Sequence, residues 1–196
     1  MNNFCITLQV LSVKTLDNRT VSRCCFSYTD FRTTHTLEQE LNLTAFGRSG
    51  EILSRCEQYD IIQVIGELWL EGREWELVAK NCVGSVIPSD AGCPVNHICL
   101  VGNHGSDKYK ELKYFETGTA LCKFGMAVDR GKDNPTWFRV RAWGKTGEVA
   151  ANYCKVGDRM GVEGTIALES YQGNQHLVVI ANRLELLEPK PVEQVA

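Results

Sequence analysis

The residues with the most distinctive chemistry lie in one short segment, residues 137–143, which reads Trp-Phe-Arg-Val-Arg-Ala-Trp. In a β-strand, successive side chains point to opposite faces. One face would then carry Phe138, Val140 and Ala142, and the other Trp137, Arg139, Arg141 and Trp143. Tryptophans stack on planar rings and arginines neutralise anions, and single-stranded nucleic acid offers both partners. The segment predicts a strand with an apolar core face and an outer face suited to such a ligand.

Further basic residues lie near this segment in the sequence: Lys123 in the preceding apolar run, Lys145 directly after it, and Arg130 and Lys132 in the intervening loop. Residues 96–188 carry 12 Lys+Arg against 11 Asp+Glu, whereas residues 1–88 carry 8 against 11. The cations are therefore concentrated in the second half of the chain. The alternative is that both tryptophans pack under a loop or at a subunit contact, with the arginine side chains lying over them.

An internal repeat sets the number of domains. Residues 45–56 and 142–153 share four identical and four similar positions, and the match continues after one inserted residue, with Val64 and Gly66 corresponding to Val162 and Gly164. A stretch rich in turn-forming residues separates the repeats. We predict a first domain at 1–86, a linker at 87–95, a second domain at 96–188 and a short tail at 189–196.

Both halves have the same predicted order of elements. Runs rich in β-branched and apolar residues predict strands near 4–13, 20–28, 39–47, 60–70 and 74–80, and again near 97–104, 118–128, 136–144, 158–170 and 175–186. A short helix lies between the third and fourth strands, and in the second half Val149, Ala150 and Tyr153 are predicted to share one face of it. This is the plan of an OB-fold, a five-stranded Greek-key barrel that binds oligonucleotides or oligosaccharides. The sequence predicts an all-β protein of two tandem OB-folds.

The outer face of the third strand differs between the two halves. At an offset of 97, the residues that correspond to the two tryptophans and two arginines are Glu40, Asn42, Thr44 and Phe46. The core positions stay apolar, as Leu41, Leu43 and Ala45. We infer that the second domain is the main nucleic-acid-binding domain. The first domain binds nucleic acid more weakly, binds it in another direction, or pairs with another subunit. Phe46 is its candidate stacking residue.

The composition argues against a membrane-spanning or secreted protein. The 196 residues are 43% hydrophobic, with a net charge of −3, and no run approaches the ~18 apolar residues of a membrane helix. Met1–Cys5 lacks the pattern of a signal peptide. The nine cysteines are odd in number and lie mostly in predicted strands, where a reduced cysteine is a small buried hydrophobe. We predict a cytoplasmic protein with no membrane partner.

Metal and catalytic motifs are weak. Cys82, Cys93, His97 and Cys99 could be read as a zinc site, but they lack the usual Cys-x2-Cys pair. The segment 144–146, Gly-Lys-Thr, resembles the end of a phosphate-binding loop without its first glycine. Scattered His and Cys residues form no nucleophile motif. The sequence therefore predicts no metal, no other cofactor and no enzyme.

Several motifs in residues 96–188 resemble the bacterial single-stranded DNA-binding protein family. They occur in order as 96–103 (Asn-His-Ile-Cys-Leu-Val-Gly-Asn), 112–115 (Leu-Lys-Tyr-Phe), 118–120, 137–140, 144–145 and 162–164. The first half resembles the family more distantly, which suggests its tandem-OB-fold form. The resemblance implies stacking on Trp137, Trp143 and Tyr171, basic contacts from Lys113, Arg139 and Lys145, and a place for Tyr114 beside Lys113 in the DNA-binding set.

The resemblance also implies a working unit of four OB domains, hence a homodimer of this chain; a monomer, and a heteromer with a separate single-domain paralogue, are the open alternatives. Two features depart from the family: the loop at 129–135 lacks an aromatic residue, and residues 189–196 lack the acidic tip that recruits replication and repair proteins. We expect a sequence-nonspecific protein that coats single-stranded DNA in replication, recombination and repair. Two alternatives remain open: an OB-fold scaffold of a DNA-processing complex, and a single-stranded RNA-binding protein, because stacking does not distinguish the sugars.

Overall fold

The computed structural model describes residues 1–29, 36–71, 74–83, 95–106, 110–129, 135–171 and 174–187. The elements of the N-terminal half are β1 (Asn2–Thr15), β2 (Thr20–Thr29), β3 (Thr36–Ala45), α1 (Gly47–Ser54), β4 (Ile61–Glu71) and β5 (Glu74–Val83). Those of the C-terminal half are β6 (Asn96–His104), β7 (Glu111–Tyr114), β8 (Ala120–Val128), β9 (Thr136–Trp143), α2 (Gly144–Tyr153), β10 (Arg159–Tyr171) and β11 (Asn174–Leu186).

The two halves have the same strand connectivity. In the N-terminal half the hydrogen-bonded order is β2-β3-β5-β4-β1, and β1 also pairs with β2, which closes the barrel. In the C-terminal half the order is β6-β10-β11-β9-β8, and β6 pairs with β8. The third and fifth strands of each half pair in parallel. The predicted fold, two OB-type barrels with a helix between the third and fourth strands, is confirmed.

Strand alternation builds the core of each barrel. Ile6, Leu8 and Val10 in β1 are fully buried, and the residues between them are half-buried. In β9 the predicted core positions Phe138, Val140 and Ala142 are buried, and so is Thr136 at the start of the strand. Removing a core ring such as that of Phe138 typically costs about 3–5 kcal/mol.

Glycines explain much of the repeat. Gly47 and Gly144, the first residues of α1 and α2, have φ values of 52° and 54°, a conformation that glycine adopts without strain. Gly66 and Gly164 sit where the fourth strand passes close to the fifth, so a Cβ at either position would lie 2.0 Å from the carbonyl oxygen of Val78 or Ile180. The repeated glycines therefore mark the same helix start and the same close approach of two strands in both halves.

An asparagine amide makes the same pair of hydrogen bonds in both halves. The Asn2 side chain donates to the Leu68 carbonyl at 2.7 Å and accepts from its N–H at 3.4 Å. The Asn96 side chain donates to the Ile166 carbonyl at 2.9 Å and accepts from its N–H at 2.9 Å. Each amide thus occupies the place of a backbone residue beside the fourth strand.

The structure corrects two details of the prediction. A strand not predicted from the sequence, β7, pairs with β8. The predicted apolar face of α2 was wrong at two of its three positions: Tyr153 is 66% exposed and Val149 is exposed. Ala150 is buried, and so is Gly147. A Cβ at Gly147 would lie 2.4 Å from the Ala142 carbonyl oxygen, so the helix packs through a glycine directly on the backbone.

The chain divides into two compact units. One comprises Met1, Cys99–Gly164 and the described part of Val178–Ala196, and the other comprises Asn2–Ile98 with Thr165–Leu177. Apart from Val95, the predicted linker lies outside the described residues, as does the predicted tail. Among the described residues, no helix is long and apolar enough to cross a membrane.

Candidate nucleic-acid interface

The outer side of β9 carries the four residues that the sequence places there. Trp137 is 52% exposed, Arg139 is exposed, and Arg141 and Trp143 are half-buried. The inner side is the core described above. Because the strand has one buried face, a shift of one residue would turn its whole apolar set outward, so the register that exposes the tryptophans is strongly fixed.

Pairing with β8 and β7 extends this surface. Directly opposite residues of antiparallel strands lie on the same side of the sheet. Arg141 faces Lys123 on β8, and Lys123 faces Glu111 on β7. In the next row, Trp143 faces Leu121, which faces Lys113. We call this surface the three-strand face, defined by the outward residues Glu111, Lys113, Lys123, Trp137, Arg139, Arg141 and Trp143.

An aromatic pair lies at one end of the three-strand face. The rings of Phe115 and Trp143 have centroids 5.4 Å apart at an interplanar angle of 31°. The Lys113 ammonium nitrogen lies 5.2 Å from the Phe115 ring centroid, within the range of a cation–π contact. Phe115 was not among the predicted site residues, although the motif at 112–115 contains it, so an aromatic residue next to a predicted basic contact was the available signal.

Two glycines lie under the Trp137 ring at the other end of the face. A Cβ at Gly125 would be 3.7 Å from the ring, an ordinary contact, whereas a Cβ at Gly105 would be 2.6 Å from its Cζ3 atom. The Gly105 N–H donates to the Gly125 carbonyl at 2.8 Å. Nδ1 of buried His104, which stacks on Phe124, lies 2.8 Å from the Gly105 carbonyl oxygen, where it can donate. The Trp137 ring therefore packs on the backbone of Gly105 and Gly125, which are joined by a hydrogen bond.

The carboxylate of Glu111 is part of this basic surface. Its Oε2 lies 2.8 Å from the Lys123 ammonium nitrogen. Hydrogen bonding and charge from Lys123, together with the charges of Lys113 and Arg141, lower the pKa of Glu111 below its ordinary value. Glu111 is ionised at neutral pH and compensates part of the positive charge of the face.

The other predicted residues are placed as follows. Lys145 is exposed in the first turn of α2, next to Trp143. Tyr114 is exposed, but it faces Ala120 and so points to the opposite side of β7 from Lys113. Arg130 and Lys132 lie outside the described residues, and so does the side chain of Tyr171, whose backbone ends β10.

In the N-terminal half, the corresponding face has a different chemistry. Phe46 is exposed and precedes α1, as Trp143 precedes α2. Glu40 pairs with Arg23, and Thr44, expected to point outward, is buried and donates to the Glu76 carboxylate. This face carries one exposed ion pair and a covered hydroxyl in place of the tryptophans and arginines.

Leu168, in the part of β10 that belongs to the same compact unit as Asn2–Ile98, also contacts this N-terminal face. The Gln39 side-chain amide donates to the Leu168 carbonyl at 2.6 Å and accepts from the Leu168 N–H at 2.7 Å. A cavity of about 350 Å³ lies beside this contact and is lined by Glu40, Asn42 and Trp75 together with Leu168. Part of the outer surface of β3 is therefore occupied by protein.

The cysteines behave as the composition predicted only in part. Cys24 and Cys122 are fully buried, and burial raises the pKa of the Cys24 thiol to about 12 and that of Cys122 to about 11. Cys5, Cys25 and Cys99 are half-buried. Within the described ranges, no group of three or more His, Cys, Asp or Glu side chains could hold a metal ion.

Comparison with known proteins identifies the family. Residues 95–187 match the model of the single-strand binding protein family. "Single-stranded DNA-binding protein 1" of Synechocystis is 40% identical over 106 residues, which are 49% of this chain and 86% of that protein. The chain belongs to the single-strand binding protein family. The predicted resemblance is thus confirmed, and "Single-stranded DNA-binding protein 2" of Clostridium acetobutylicum is 38% identical over 105 residues, 77% of its length.

The family likeness extends to the N-terminal half at the level of the fold. A crystal structure of a deletion mutant of the single-stranded DNA binding protein from Thermus aquaticus matches 99% of this chain and 98% of its own, with a TM-score of 0.73 and 22% identity. The wild-type protein from the same organism gives a TM-score of 0.74 at 19% identity and covers 98% of this chain. Both halves therefore share the architecture of these proteins.

Proposed function

We propose that this chain is a single-stranded DNA-binding protein that coats exposed strands with little sequence preference. The observation that carries the proposal is the three-strand face, where Trp137 and Trp143 flank two arginines on one side of β9. Family membership supports it independently, because the matched relatives are named as single-stranded DNA-binding proteins.

The geometry accounts for the expected binding mode. Nucleobases stack on exposed aromatic rings for about 1–3 kcal/mol per base, and every base has a π-face, so stacking tolerates any sequence. Arg139, Arg141 and Lys113 lie beside the rings, where they can neutralise phosphates. Affinity should then fall as salt is added, with a slope of about −0.7 per phosphate neutralised on a single strand.

The test compares strands of equal length. Tryptophan fluorescence titrated with oligo(dT) should be quenched, and duplex DNA should bind much more weakly. Absence of quenching, or equal affinity for duplex, would contradict the proposal. Competition with the matched ribo-oligomer measures the preference for deoxyribose, since stacking alone does not give one.

Trp137→Ala supplies the site-specific test, measured by anisotropy of a labelled oligo(dT). We expect a loss of about 1–3 kcal/mol, equivalent to roughly 5- to 150-fold in Kd. The matched control is Tyr153→Ala, which removes an exposed aromatic ring of α2 that is not one of the residues of the three-strand face. Equal losses in the two variants would contradict the placement of the site.

We further propose that the N-terminal barrel contributes less to DNA binding, and that Arg130, Lys132 and Tyr171 add contacts to the DNA. We also propose that the two domains span residues 1–86 and 96–188. Support comes from the exposed Arg23–Glu40 pair and from the contact of Gln39 with Leu168, both on the N-terminal face. A fragment of residues 1–86 that bound oligo(dT) as tightly as the whole chain would contradict it.

The proposed assembly is a homodimer that works in the cytoplasm in replication, recombination and repair. Two barrels per chain give four per dimer, the number expected from the family resemblance. Light scattering should give a mass of about 44 kDa, twice the 22.0 kDa of one chain. A mass of one chain, with and without a 30-nucleotide strand, would contradict the dimer.

A further inference from the structure

We propose that Glu111 is an internal competitor of DNA phosphate for Lys123, and that it lowers the affinity of the three-strand face for single-stranded DNA. The inference rests on the proposed function. It assigns a role to β7, the strand not predicted from the sequence.

The geometry places a carboxylate where a phosphate would bind. Glu111 lies directly opposite Lys123 across the β7–β8 ladder, and its Oε2 is 2.8 Å from the Lys123 ammonium nitrogen. On the other side of Lys123, Arg141 is the cross-strand neighbour. This row of cross-strand neighbours therefore consists of Glu111 on β7, Lys123 on β8 and Arg141 on β9, and the negatively charged residue lies on the edge strand.

Both partners are open to solvent, so a ligand can reach the pair. The Glu111 side chain is 57% exposed and the Lys123 side chain is 38% exposed. An ion pair of this kind adds little to folding stability, because water screens it and two long side chains must be ordered. A role in tuning the charge of the face explains the position of Glu111 beside Lys123 better than a role in stability.

The charges around Glu111 favour its ionised form further. Lys123 acts through a hydrogen bond and its charge, and Lys113 and Arg141 add their charges, which together lower the pKa of Glu111. A phosphate that approaches Lys123 at neutral pH therefore meets a full negative charge. It competes with the carboxylate for the Lys123 ammonium group, so DNA binding gains less than it would from a lysine without a carboxylate partner.

Glu111→Gln tests this directly, because it removes the charge and keeps the shape of the side chain. We expect oligo(dT) to bind about three- to tenfold more tightly at low salt, the effect of one additional lysine–phosphate contact at a solvated site. The salt slope should steepen by about 0.7, the value for one additional phosphate contact on a single strand.

Two comparisons separate this effect from a general change in charge. Glu185→Gln is the matched control: it removes one negative charge and also breaks an exposed ion pair, that with Arg183 on β11. We expect its affinity to stay within about twofold of wild type. In a Lys123→Met background, Glu111→Gln should change Kd by less than about twofold, because the competing pair no longer exists.

The outcomes are distinct. A Glu111→Gln variant that binds equally or more weakly, in a wild-type background that binds oligo(dT), overturns this inference alone. An equal gain in Glu185→Gln also overturns it, since net charge would then explain the effect. Failure of the wild-type chain to bind oligo(dT) overturns the proposed function and this inference with it.

Discussion

Replacing Gly105 with alanine is expected to weaken DNA binding by displacing the Trp137 ring. The new Cβ would lie 2.6 Å from Trp137 Cζ3 and 3.0 Å from the Gly125 carbonyl oxygen, whereas ordinary contacts are 3.4–4 Å. The backbone oxygen is held in a hydrogen bond with Gly105 itself. The side chain is therefore the part that moves, by about 1 Å, which is enough to forfeit much of a van der Waals contact.

The magnitude follows from two costs. Crowding of this size typically destabilises a fold by about 1–3 kcal/mol. A misplaced ring also loses part of its stacking energy, and a loss of about 1–2 kcal/mol from a stack worth 1–3 kcal/mol weakens binding roughly 5- to 30-fold. Chemical denaturation measures the first cost, and anisotropy of labelled oligo(dT), at a temperature where the variant is folded, measures the second.

Gly125→Ala provides the matched control under the same ring. Its Cβ would lie 3.7 Å from the nearest Trp137 atom, so we expect affinity within about twofold of wild type. A double-mutant cycle adds a second check, because in a Trp137→Ala background Gly105→Ala should lose most of its effect on binding. The reasoning would be refuted if Gly105→Ala bound DNA like wild type, or if Gly125→Ala were equally damaging.

Three further predictions concern other parts of the chain. Trp143→Ala should weaken oligo(dT) binding by about 1–3 kcal/mol and Phe46→Ala by less, measured by anisotropy; the reverse order would contradict the ranking of the two barrels. Because burial raises the pKa of Cys24 to about 12 from its usual 9.0, its native thiol should resist alkylation at pH 8, and stability should decline as pH rises above 9.0, where the unfolded thiol ionises. Gln39→Leu should cost about 1–3 kcal/mol in urea denaturation, since it leaves the Leu168 N–H and carbonyl without their amide partner; an unchanged midpoint would contradict this.

The part of the site that lies on β9 could be predicted because its signal is a simple alternation. Trp137 and Arg139 alternate with Phe138 and Val140, and a strand with one buried face has only one way to satisfy that pattern. The repeat then supplied the number of barrels, because identical glycines such as Gly47 and Gly144 recur where the backbone needs a positive φ.

Other features left no such signal. Strand β7 has only four residues, all exposed, so its alternation of Glu111 and Lys113 with Leu112 and Tyr114 is at the short limit of what predicts a strand, and Glu111 was therefore not among the predicted site residues. Helix α2 packs through Gly147, which has no side chain to register in a hydrophobic pattern, and the pattern instead selected Tyr153. The contact between Phe115 and Trp143 depends on how the turn after β7 places its ring, which spacing along the chain does not determine.

The asparagine amides at the start of β1 and β6 have a consequence for how the chain folds. Each amide bonds both backbone groups of one residue in the fourth strand, Leu68 or Ile166. A misalignment by one residue would lose both hydrogen bonds and also reverse the faces of the strand. Errors in strand alignment are therefore penalised twice in each barrel, by polar groups at the strand end and by the apolar core. Folding does not depend on the core alone to select the native alignment.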